Sequence, residues 1–341
     1  GTDDRVVSGI GFQPDMVIVK QLNAANEAQI RLSNMPDGYS KQMVGATSMY
    51  LDRIQSFNSN GFVVGLNNDV NAVGKTYIYM AFQTGSKFVI GSYTGDGTTA
   101  RSVGLSFGPD LVYLIPAIDQ RVAFKTPTIS GDNSSSFGGD FTLDATIVSL
   151  DSSGFSVGSN ARANKLGDTY YYAAFKSSPT SMVYGSYTGN GTSNNITGVG
   201  FKSKYLFVKS SGGSYACQTS DAMANGTSVE FAGSSSDISR ITDVNSTGFS
   251  VGTNSQVNSN GITYHYVCFN ASYAPPSNCI VTGRYTGDGL LNKEVTGLGF
   301  SPKVLIVKLA FLSSARCVIF VVRVSTKMRR PEKKSLNFKM S

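Results

Sequence analysis

The chain has no tryptophan and only one histidine, His265, in 341 residues. A catalytic triad needs its histidine beside a nucleophile and an orienting acid, and a multi-histidine metal site needs more than one, so this scarcity argues against both kinds of site. The positions that correspond to His265 in the repeats described below are Ile78 and Tyr171. We therefore interpret His265 as a strand residue without a catalytic role.

Cysteine is also scarce, and Cys217, Cys268, Cys279 and Cys317 lack any Cys-x-x-Cys spacing. This argues against a zinc ribbon or a redox pair. A Cys268–Cys279 disulfide can form in an oxidising compartment, but the first half of the chain has no cysteine, so the fold does not depend on one. Cys268 lies in an apolar strand pattern, which favours a buried free thiol at that position.

Long apolar runs are missing as well. The nearest approach to one, residues 304–322, is interrupted by Lys308 and Arg316 and falls short of the ~20 residues that a spanning helix needs, so we predict no membrane span. No Gly-x-x-x-x-Gly-Lys-Ser/Thr phosphate loop occurs. No signal peptide is visible and the chain begins at Gly1, which is typical of a cleaved or partial product.

The net charge of +7 is concentrated at one end of the chain. Residues 310–341 contain eight Lys and Arg residues and one acid, Glu332, so the rest of the chain is neutral overall. A terminal block of like charge is typical of a solvated tail, and we predict no specific nucleic-acid partner. A phosphate-binding role for this tail is the alternative.

What the sequence does contain is a tandem repeat. The frame Gly-x-Tyr-Thr-Gly-(Asp/Asn)-Gly occurs at residues 91–97, 185–191 and 283–289. This period is too long for a solenoid turn and suits a small domain with its own core. The predicted parts are repeat 1 (1–85, which lacks its first strand), repeat 2 (86–178), repeat 3 (179–272), a partial repeat 4 (273–309) and a basic tail outside the repeat (310–341).

Each repeat is a succession of short apolar runs between turn residues. Residues 76–82 carry apolar side chains on both faces of the predicted strand, which is typical of a strand central to a sandwich. With glycine-rich turns and no sustained 3.6-residue period, the pattern predicts an all-β fold of tandem antiparallel β-sandwich repeats, jelly-roll-like in type. The polar middles (22–52, 118–144 and 210–237) are the least alike, so repeat-specific contacts are expected there.

Two groups of residues are candidates for functional positions. The first is the repeat-signature turns, where glycine and asparagine supply the positive φ that tight turns demand, so that a purely structural role also explains them. They are Gly95, Asp96, Gly97, Gly189, Asn190, Gly191, Gly287, Asp288 and Gly289. The second group is tyrosines in or near the variable middles, which can serve as ligand-loop aromatics for sugars where tryptophan is missing. They are Tyr39, Tyr50, Tyr113 and Tyr215.

Acidic residues do not form a repeated catalytic or metal-binding pattern. Asp96 and Asp288 are matched by Asn190, so no glycosidase-type carboxylate pair recurs in all repeats, and we predict that the protein is not an enzyme. Loops such as residues 131–133 and 94–97 offer oxygen ligands for Ca²⁺, but turn chemistry explains them equally well. We therefore predict no cofactor, with Ca²⁺ as the alternative.

Four spaced motifs carry a resemblance to a known repeat. They are the signature frame, Gly-Phe-x-Pro-Asp-x-Val-x-x-Lys at residues 11–20, Gly-Phe-x-Val-Gly at residues 154–158 and Val-Asn-x-x-Gly-x-Thr-Tyr at residues 70–77. Over residues 1–308 the chain resembles tandem repeats of virion structural and tail-associated proteins from environmental, especially marine, bacteriophages. The resemblance implies concanavalin-A-like or jelly-roll sandwiches. The chain departs from those repeats where they often carry a tryptophan in the last strand, since it has Tyr79, Tyr172 and Tyr266 there.

These observations lead us to expect a non-enzymatic structural and adhesive repeat protein of a virion or extracellular surface, such as a phage tail-fibre or capsid-surface component. The expected partners are copies of itself, other virion or surface proteins and host-surface glycans. The alternative is a lectin-like carbohydrate-binding protein of a bacterial cell surface.

The incomplete repeats suggest a mode of assembly. Repeat 1 lacks the opening strand, whereas the partial repeat 4 has one at residues 279–285 but lacks the closing strands. An incomplete sandwich leaves an open sheet edge that invites another strand. One hypothesis is that residues 273–309 complete repeat 1 of a neighbouring copy and so produce head-to-tail assembly. The alternative is that the sequence is a truncated part of a longer repeat protein.

Overall fold

The alternating apolar runs of the first repeat form two antiparallel sheets. The computed structural model describes residues 5–270, 280–286, 304–307 and 320–323. The first repeat contains β1 (Arg5–Ser8), β2 (Met16–Gln21), β3 (Gln29–Leu32), β4 (Lys41–Gln42), β5 (Ile54–Asn58), β6 (Gly61–Val64), α1 (Asn68–Asn71) and β7 (Thr76–Phe82). Strands β1, β6 and β5 form a three-stranded sheet, while β7, β2, β3 and β4 are neighbours in a larger one.

The second and third repeats add an opening strand to the same order of elements. Repeat 2 contains β8 (Phe88–Thr94), β9 (Arg101–Gly104), β10 (Leu111–Pro116), β11 (Ala123–Lys125), β12 (Ser135–Ser136), β13 (Ile147–Asp151), β14 (Gly154–Val157), α2 (Ala161–Asn164) and β15 (Thr169–Phe175). Repeat 3 contains β16 (Met182–Thr188), β17 (Asn194–Thr197), β18 (Tyr205–Ser210), β19 (Cys217–Ser220), β20 (Val229–Glu230), β21 (Ile241–Val244), β22 (Gly248–Val251), α3 (Ser255–Asn258) and β23 (Thr263–Phe269).

Sheet order is the same in these two repeats. The larger sheets run β8-β15-β10-β11-β12 and β16-β23-β18-β19-β20, and the smaller ones run β9-β14-β13 and β17-β22-β21. Each one-turn helix begins after an asparagine whose side chain accepts a hydrogen bond from the amide two residues on, which is the preferred N-cap arrangement. The predicted all-β, sandwich-type fold is confirmed.

Repeat 1 obtains its opening strand from the far end of the same chain. Strand β24 (Ile280–Thr286) pairs antiparallel with β7, with Tyr285 opposite Tyr77. Strands β8 and β16 pair with β15 and β23 in the corresponding register. Strand β24 of the same chain thus occupies the edge of β7 that the sequence predicts to be open, so repeat 1 is completed without a neighbouring copy in this structure.

The inner strands of the larger sheets, such as β2, β7, β10, β18 and β23, are buried on both faces. In β7, Tyr77 and Tyr79 pack with Phe62 of the smaller sheet in a core that repeat 1 forms together with Tyr285 of β24. Ile78 and Phe82, on the opposite face, enter a second core that is shared by all three repeats. The sequence predicts a central strand here because both faces are apolar. In the structure, the two faces contribute to two separate cores.

Three phenylalanines mark the place where the shared core brings the repeats together. Phe82, Phe175 and Phe269 are the last residues of β7, β15 and β23. Their ring centroids lie 5.7 Å apart for Phe82–Phe175, 5.4 Å for Phe82–Phe269 and 5.4 Å for Phe175–Phe269, all in edge-to-face geometry. Aromatic rings prefer this arrangement, so each repeat contributes one ring to a mutually stabilising set.

Buried lysines connect neighbouring repeats. Each donates from Nζ to a backbone carbonyl of another repeat: Lys20 to Ser234 O (3.4 Å), Lys41 to Ile118 O (2.7 Å) and Lys209 to Gly138 O. Burial lowers the pKa of Lys20 and Lys41 to about 8 and that of Lys209 to about 7. An ammonium group in such a place is tolerated only because hydrogen bonds compensate for lost hydration.

A second unit of the chain contains two described strands. Within it, β25 (Val304–Val307) pairs antiparallel with β26 (Phe320–Arg323), starting with Val304 opposite Arg323. The β2–β3 pair of repeat 1 starts in the same way, with Met16 opposite Leu32. The two paired strands lie on either side of the predicted boundary at residue 309 between the partial repeat 4 and the basic tail.

Candidate functional site

The signature turn of repeat 2, residues 94–97, is fixed to α2 by the buried Asn164. Asn164 Oδ1 accepts from the Asp96 amide (2.9 Å), and Asn164 Nδ2 donates to Asp96 Oδ1 (2.8 Å). Asp96 also accepts from the Thr98 hydroxyl (2.7 Å), the Thr98 amide (2.9 Å) and Arg101 Nη1 (2.8 Å). These hydrogen bonds, those from Thr98 foremost, hold the pKa of Asp96 well below its usual range. Both carboxylate oxygens are therefore occupied by donors of the protein itself.

The corresponding turn of repeat 3 uses Asn190 in place of aspartate. Asn190 Oδ1 accepts from the Thr192 amide (2.9 Å) and from Asn258 Nδ2 (3.1 Å), and the Asn190 amide donates to Asn258 Oδ1 (2.9 Å). Since the turn needs only an oxygen acceptor at this position, Asp and Asn serve equally well. The third signature turn, with Gly287, Asp288 and Gly289, lies outside the described residues.

Glycine is required in these turns for two different reasons. A Cβ at Gly95 would lie 2.1 Å from the carbonyl oxygen of Lys165. Because that oxygen belongs to the backbone, it cannot move aside to relieve the clash. Gly97 adopts a φ of +71° and Gly191 a φ of +73°, which L side chains rarely adopt. Gly189 occupies in repeat 3 the position of Gly95. The signature glycines of the described turns thus build the turn.

The four candidate tyrosines do not form one surface. Tyr113 is only 1 % exposed, so its prediction as a ligand-loop aromatic is wrong: it lies on β10 and its ring enters the shared core. Tyr39 and Tyr50 lie in adjoining segments of repeat 1, where the Arg53 guanidinium covers the Tyr50 ring at 3.8 Å. Tyr215 lies in repeat 3 and is 42 % exposed. The structure thus brings together two of the four.

The variable middles share a backbone arrangement that their sequences conceal. In each repeat a side chain on the fourth strand of the larger sheet (β3, β11 or β19) donates to a carbonyl of the following loop. The donors and acceptors are Arg31 Nη1 to Pro36 O (2.8 Å), Lys125 Nζ to Gly131 O (2.8 Å) and Thr219 Oγ1 to Thr227 O (2.7 Å). Met35, Ile129 and Met223 of these loops all enter the shared core. Sequence reasoning missed these residues because donors of three different types perform the same task.

A groove of about 570 Å³ lies between the variable loop of repeat 2 and β13. Volumes of roughly 300 to 1,000 Å³ are typical of sites for small ligands. Its polar lining includes Asp110, Lys125, Ser149, Asp151, Ser152 and Lys176. This groove is the candidate functional site of the described residues. Residues of the predicted variable middle 118–144, such as Lys125 and Gly131, line it, whereas the described signature-turn residues and the four candidate tyrosines do not.

The charged groups of this groove are organised by contacts within the protein. Asp110 accepts from the Ser177 amide (2.8 Å) and hydroxyl (2.7 Å), and its Oδ2 lies 3.2 Å from Lys176 Nζ. Lys125 turns its ammonium group toward loop carbonyls, and burial lowers its pKa to about 8. The Lys176 side chain is 44 % exposed and Asp151 is exposed. The groove therefore presents hydrogen-bonding and charged groups suited to holding a polar ligand.

Repeat 3 has a groove in the equivalent position with a different lining. It measures about 110 Å³ and includes Lys202, Asp221, Met223 and Asn225. Lys204 Nζ lies 2.5 Å from Asp221 Oδ2 at its edge. The site is thus a recurring feature of the fold whose size and chemistry change from one repeat to the next.

His265 belongs to the contact between repeats 3 and 2. Its Nδ1 lies 2.8 Å from Thr128 Oγ1, and its ring stacks on Phe141 at 5.2 Å. Burial lowers the pKa of His265 to about 4, so the imidazole is neutral at physiological pH. His265 therefore serves to pack repeat 3 against repeat 2.

In the loops that were candidates for Ca²⁺, several oxygens accept hydrogen bonds from donors of the protein. The carbonyls of Gly131 and Asn133 accept from the Lys125 ammonium group, and the carboxylate of Asp96 is occupied as described above. Among the residues that the structure describes, no group of three or more His, Cys, Asp or Glu side chains could hold a metal ion.

Cys217 and Cys268 are fully buried free thiols, which confirms the expectation for Cys268. Burial raises the pKa of each to about 12, so neither is a reactive thiolate. Cys279 and Cys317 lie outside the residues whose side chains are described. Within the described parts of the chain, no helix has both the length and the apolar character needed to cross a membrane.

One protein-family model, described as a domain of unknown function (DUF7483), matches residues 180–283. The matched segment starts just before β16 and ends inside β24, so it has the length of one repeat. Searches among curated proteins and among solved structures found no match to this chain.

Proposed function

We propose that this chain is a non-enzymatic structural and adhesive repeat protein of a virion or another extracellular surface, such as a phage tail fibre or capsid surface, and that it associates with copies of itself. The observation that supports the proposal is that repeated and non-repeated residues have different roles. The thrice-repeated Tyr, Thr, Gly and Asn positions hold each sandwich together, whereas residues that differ between repeats line the grooves. A virion location rests on the resemblance of the repeats to phage structural proteins.

Electron microscopy of the purified chain tests the structural part of this proposal. We expect ordered filaments, rings or a lattice, because a protein that serves as a spacer or coat must make regular contacts with its copies. Isolated particles of one chain at every concentration would contradict self-association. Immunogold labelling of virions, with antibodies raised against the purified chain, tests the location.

The groove of repeat 2 favours a second candidate function, a lectin-like carbohydrate-binding protein of a bacterial cell surface. Its volume suits a sugar unit, and its serine, aspartate and lysine side chains suit hydroxyl groups. A glycan array distinguishes the two functions. If the lectin role is correct, Asp151→Asn and Lys176→Met abolish binding, while Asp37→Asn, an exposed carboxylate outside this groove, leaves it unchanged. Binding to no glycan would remove this candidate.

A further inference from the structure

We propose that the edge of β7 is a strand-acceptor site that recognises the pattern Gly-x-Tyr-Thr, and that it accepts this strand from a second copy of the chain as well as from its own β24. Strand exchange of this kind would supply a mechanism for the self-association proposed above, but it does not depend on where the protein is carried.

The glycine of the pattern is recognised by a tyrosine ring. Gly283 pairs with Tyr79 across the ladder, and a Cβ on Gly283 would lie 2.4 Å from the Tyr79 ring. Tyr79 is only 4 % exposed and packs edge-on against Phe62 at 5.2 Å, so the ring has no room to withdraw. Only glycine fits opposite this ring.

The tyrosine of the pattern is recognised by three contacts. Tyr285 is buried, donates its hydroxyl to Val70 O (2.6 Å) and stacks on Tyr77 with centroids 5.1 Å apart. The guanidinium carbon of Arg5 lies 4.6 Å from the Tyr285 ring centroid. All of these partners belong to repeat 1.

The same recognition operates in the other repeats. Gly91 and Gly185 face the rings of Tyr172 and Tyr266, with a Cβ at 2.2 and 2.4 Å from them. Tyr93 and Tyr187 donate to the carbonyls of Ala163 and Val257, both at 2.6 Å. Strands β8, β16 and β24 all carry Gly-x-Tyr-Thr. The acceptor edge therefore recognises this short pattern, whichever chain supplies the strand.

The position of β24 in the chain is what makes exchange feasible. Strands β8 and β16 precede their acceptor strands within one repeat, whereas the Tyr285–Val70 hydrogen bond joins residues 215 positions apart. A strand from a second copy would satisfy the same seven ladder pairs and the same side-chain contacts. Reciprocal exchange of an identical element between two copies is domain swapping.

A labelled peptide of residues 280–288, Ile-Val-Thr-Gly-Arg-Tyr-Thr-Gly-Asp, tests this site on full-length protein. The chain carrying Gly283→Ala has a weakened strand of its own but an intact acceptor edge. We expect it to bind the peptide in a one-to-one ratio and at least about tenfold more tightly than the wild-type chain does. Gly104→Ala is the matched control, because a Cβ on this strand glycine meets nothing within 4 Å.

The corresponding peptide with alanine in place of the residue 283 glycine distinguishes specific recognition of glycine from non-specific peptide binding. We expect this peptide to bind the Gly283→Ala chain at least about tenfold more weakly than the glycine peptide. Equal binding of the two peptides would overturn the proposal. Peptides of residues 88–96 and 182–190, which carry the same pattern, should compete with the labelled peptide.

A second measurement uses the unmodified chain and therefore does not depend on how a variant folds. We expect concentrated protein that is warmed to near its unfolding midpoint and cooled to contain dimers by light scattering, and an excess of the glycine peptide to reduce that fraction. Monomers alone, or dimers that the peptide does not reduce, would contradict exchange. Peptide binding can succeed where electron microscopy shows no assembly, so the two proposals fail separately.

Discussion

At the scale of single residues, the repeat signature consists of hydrogen-bond partners. The sequence predicts a turn at residues 94–97 because glycine and aspartate are local turn signals. It does not predict that Asn164 holds this turn, because the two are 68 residues apart and only the folded chain brings them together. Tyr113 failed as a candidate for the same reason, because the face of β10 that carries it is covered by a core that three repeats form together.

Replacing Asn164 tests the structural reading of the signature. Asn164→Ala removes the partner of the Asp96 amide and of Thr98 O, so we expect the free energy of unfolding to fall by about 1–3 kcal/mol in urea denaturation. The exposed Asn34→Ala should change it by less than about 0.5 kcal/mol. Asp96→Asn should be tolerated, since Asn190 performs the same task in repeat 3. Equal losses for Asn164→Ala and Asn34→Ala would refute this assignment.

At the scale of elements, the variable middles are more alike than their sequences indicate. The hydroxyls of Ser40, Ser134 and Ser228 accept hydrogen bonds from the amides of the first residues of β5, β13 and β21. The backbones of the same serines pair with residues of the same loop. A few anchoring positions fix such a backbone while solvent-facing side chains vary freely. Single-sequence reasoning weighs all positions equally and so could not separate anchors from variable positions.

The lysine between repeats 3 and 2 should make stability depend on pH. Burial lowers the pKa of Lys209 from its ordinary value of 10.5 to about 7 in the folded chain. Between these values the unfolded chain binds a proton that the folded chain does not, so stability rises with pH from about 7 to about 10. The slope is at most about 1.4 kcal/mol per pH unit for one group.

Lys209→Met isolates this contribution, because Lys20, Lys41 and Lys125 remain in both proteins. We expect the thermal unfolding midpoint of the wild-type chain to rise more steeply between pH 7 and pH 9 than that of the variant. Parallel curves for the two proteins would show that Lys209 keeps an ordinary pKa in the folded chain.

At the scale of the described three-repeat unit, the shared core makes the sandwiches interdependent. Phe175 of repeat 2 touches Phe82 of repeat 1 and Phe269 of repeat 3, whereas Phe155 packs within repeat 2 alone. A repeat length near 94 residues predicts independent small domains. The structure adds a common interior, so disruption of the shared core in one repeat is expected to loosen the other two, whereas disruption of a private core is not.

Two phenylalanine variants distinguish shared from private cores. Phe175→Ala and Phe155→Ala each remove a buried ring, so each should lower the free energy of unfolding by about 3–5 kcal/mol. Hydrogen exchange should accelerate in all three repeats for Phe175→Ala and mainly in repeat 2 for Phe155→Ala. Acceleration confined to repeat 2 in both variants would show that the repeats open independently.

The sequence by itself determined the repeat, the all-β class, the buried thiol of Cys268 and the absence of helical periodicity, because these follow from local patterns and spacing. Only the tertiary structure decided that β24 closes repeat 1 of its own chain, that three sheets share a core, and that grooves recur beside the variable loops. These features depend on contacts between residues tens to hundreds of positions apart. The free energy of such contacts cannot be inferred from any local segment of the chain.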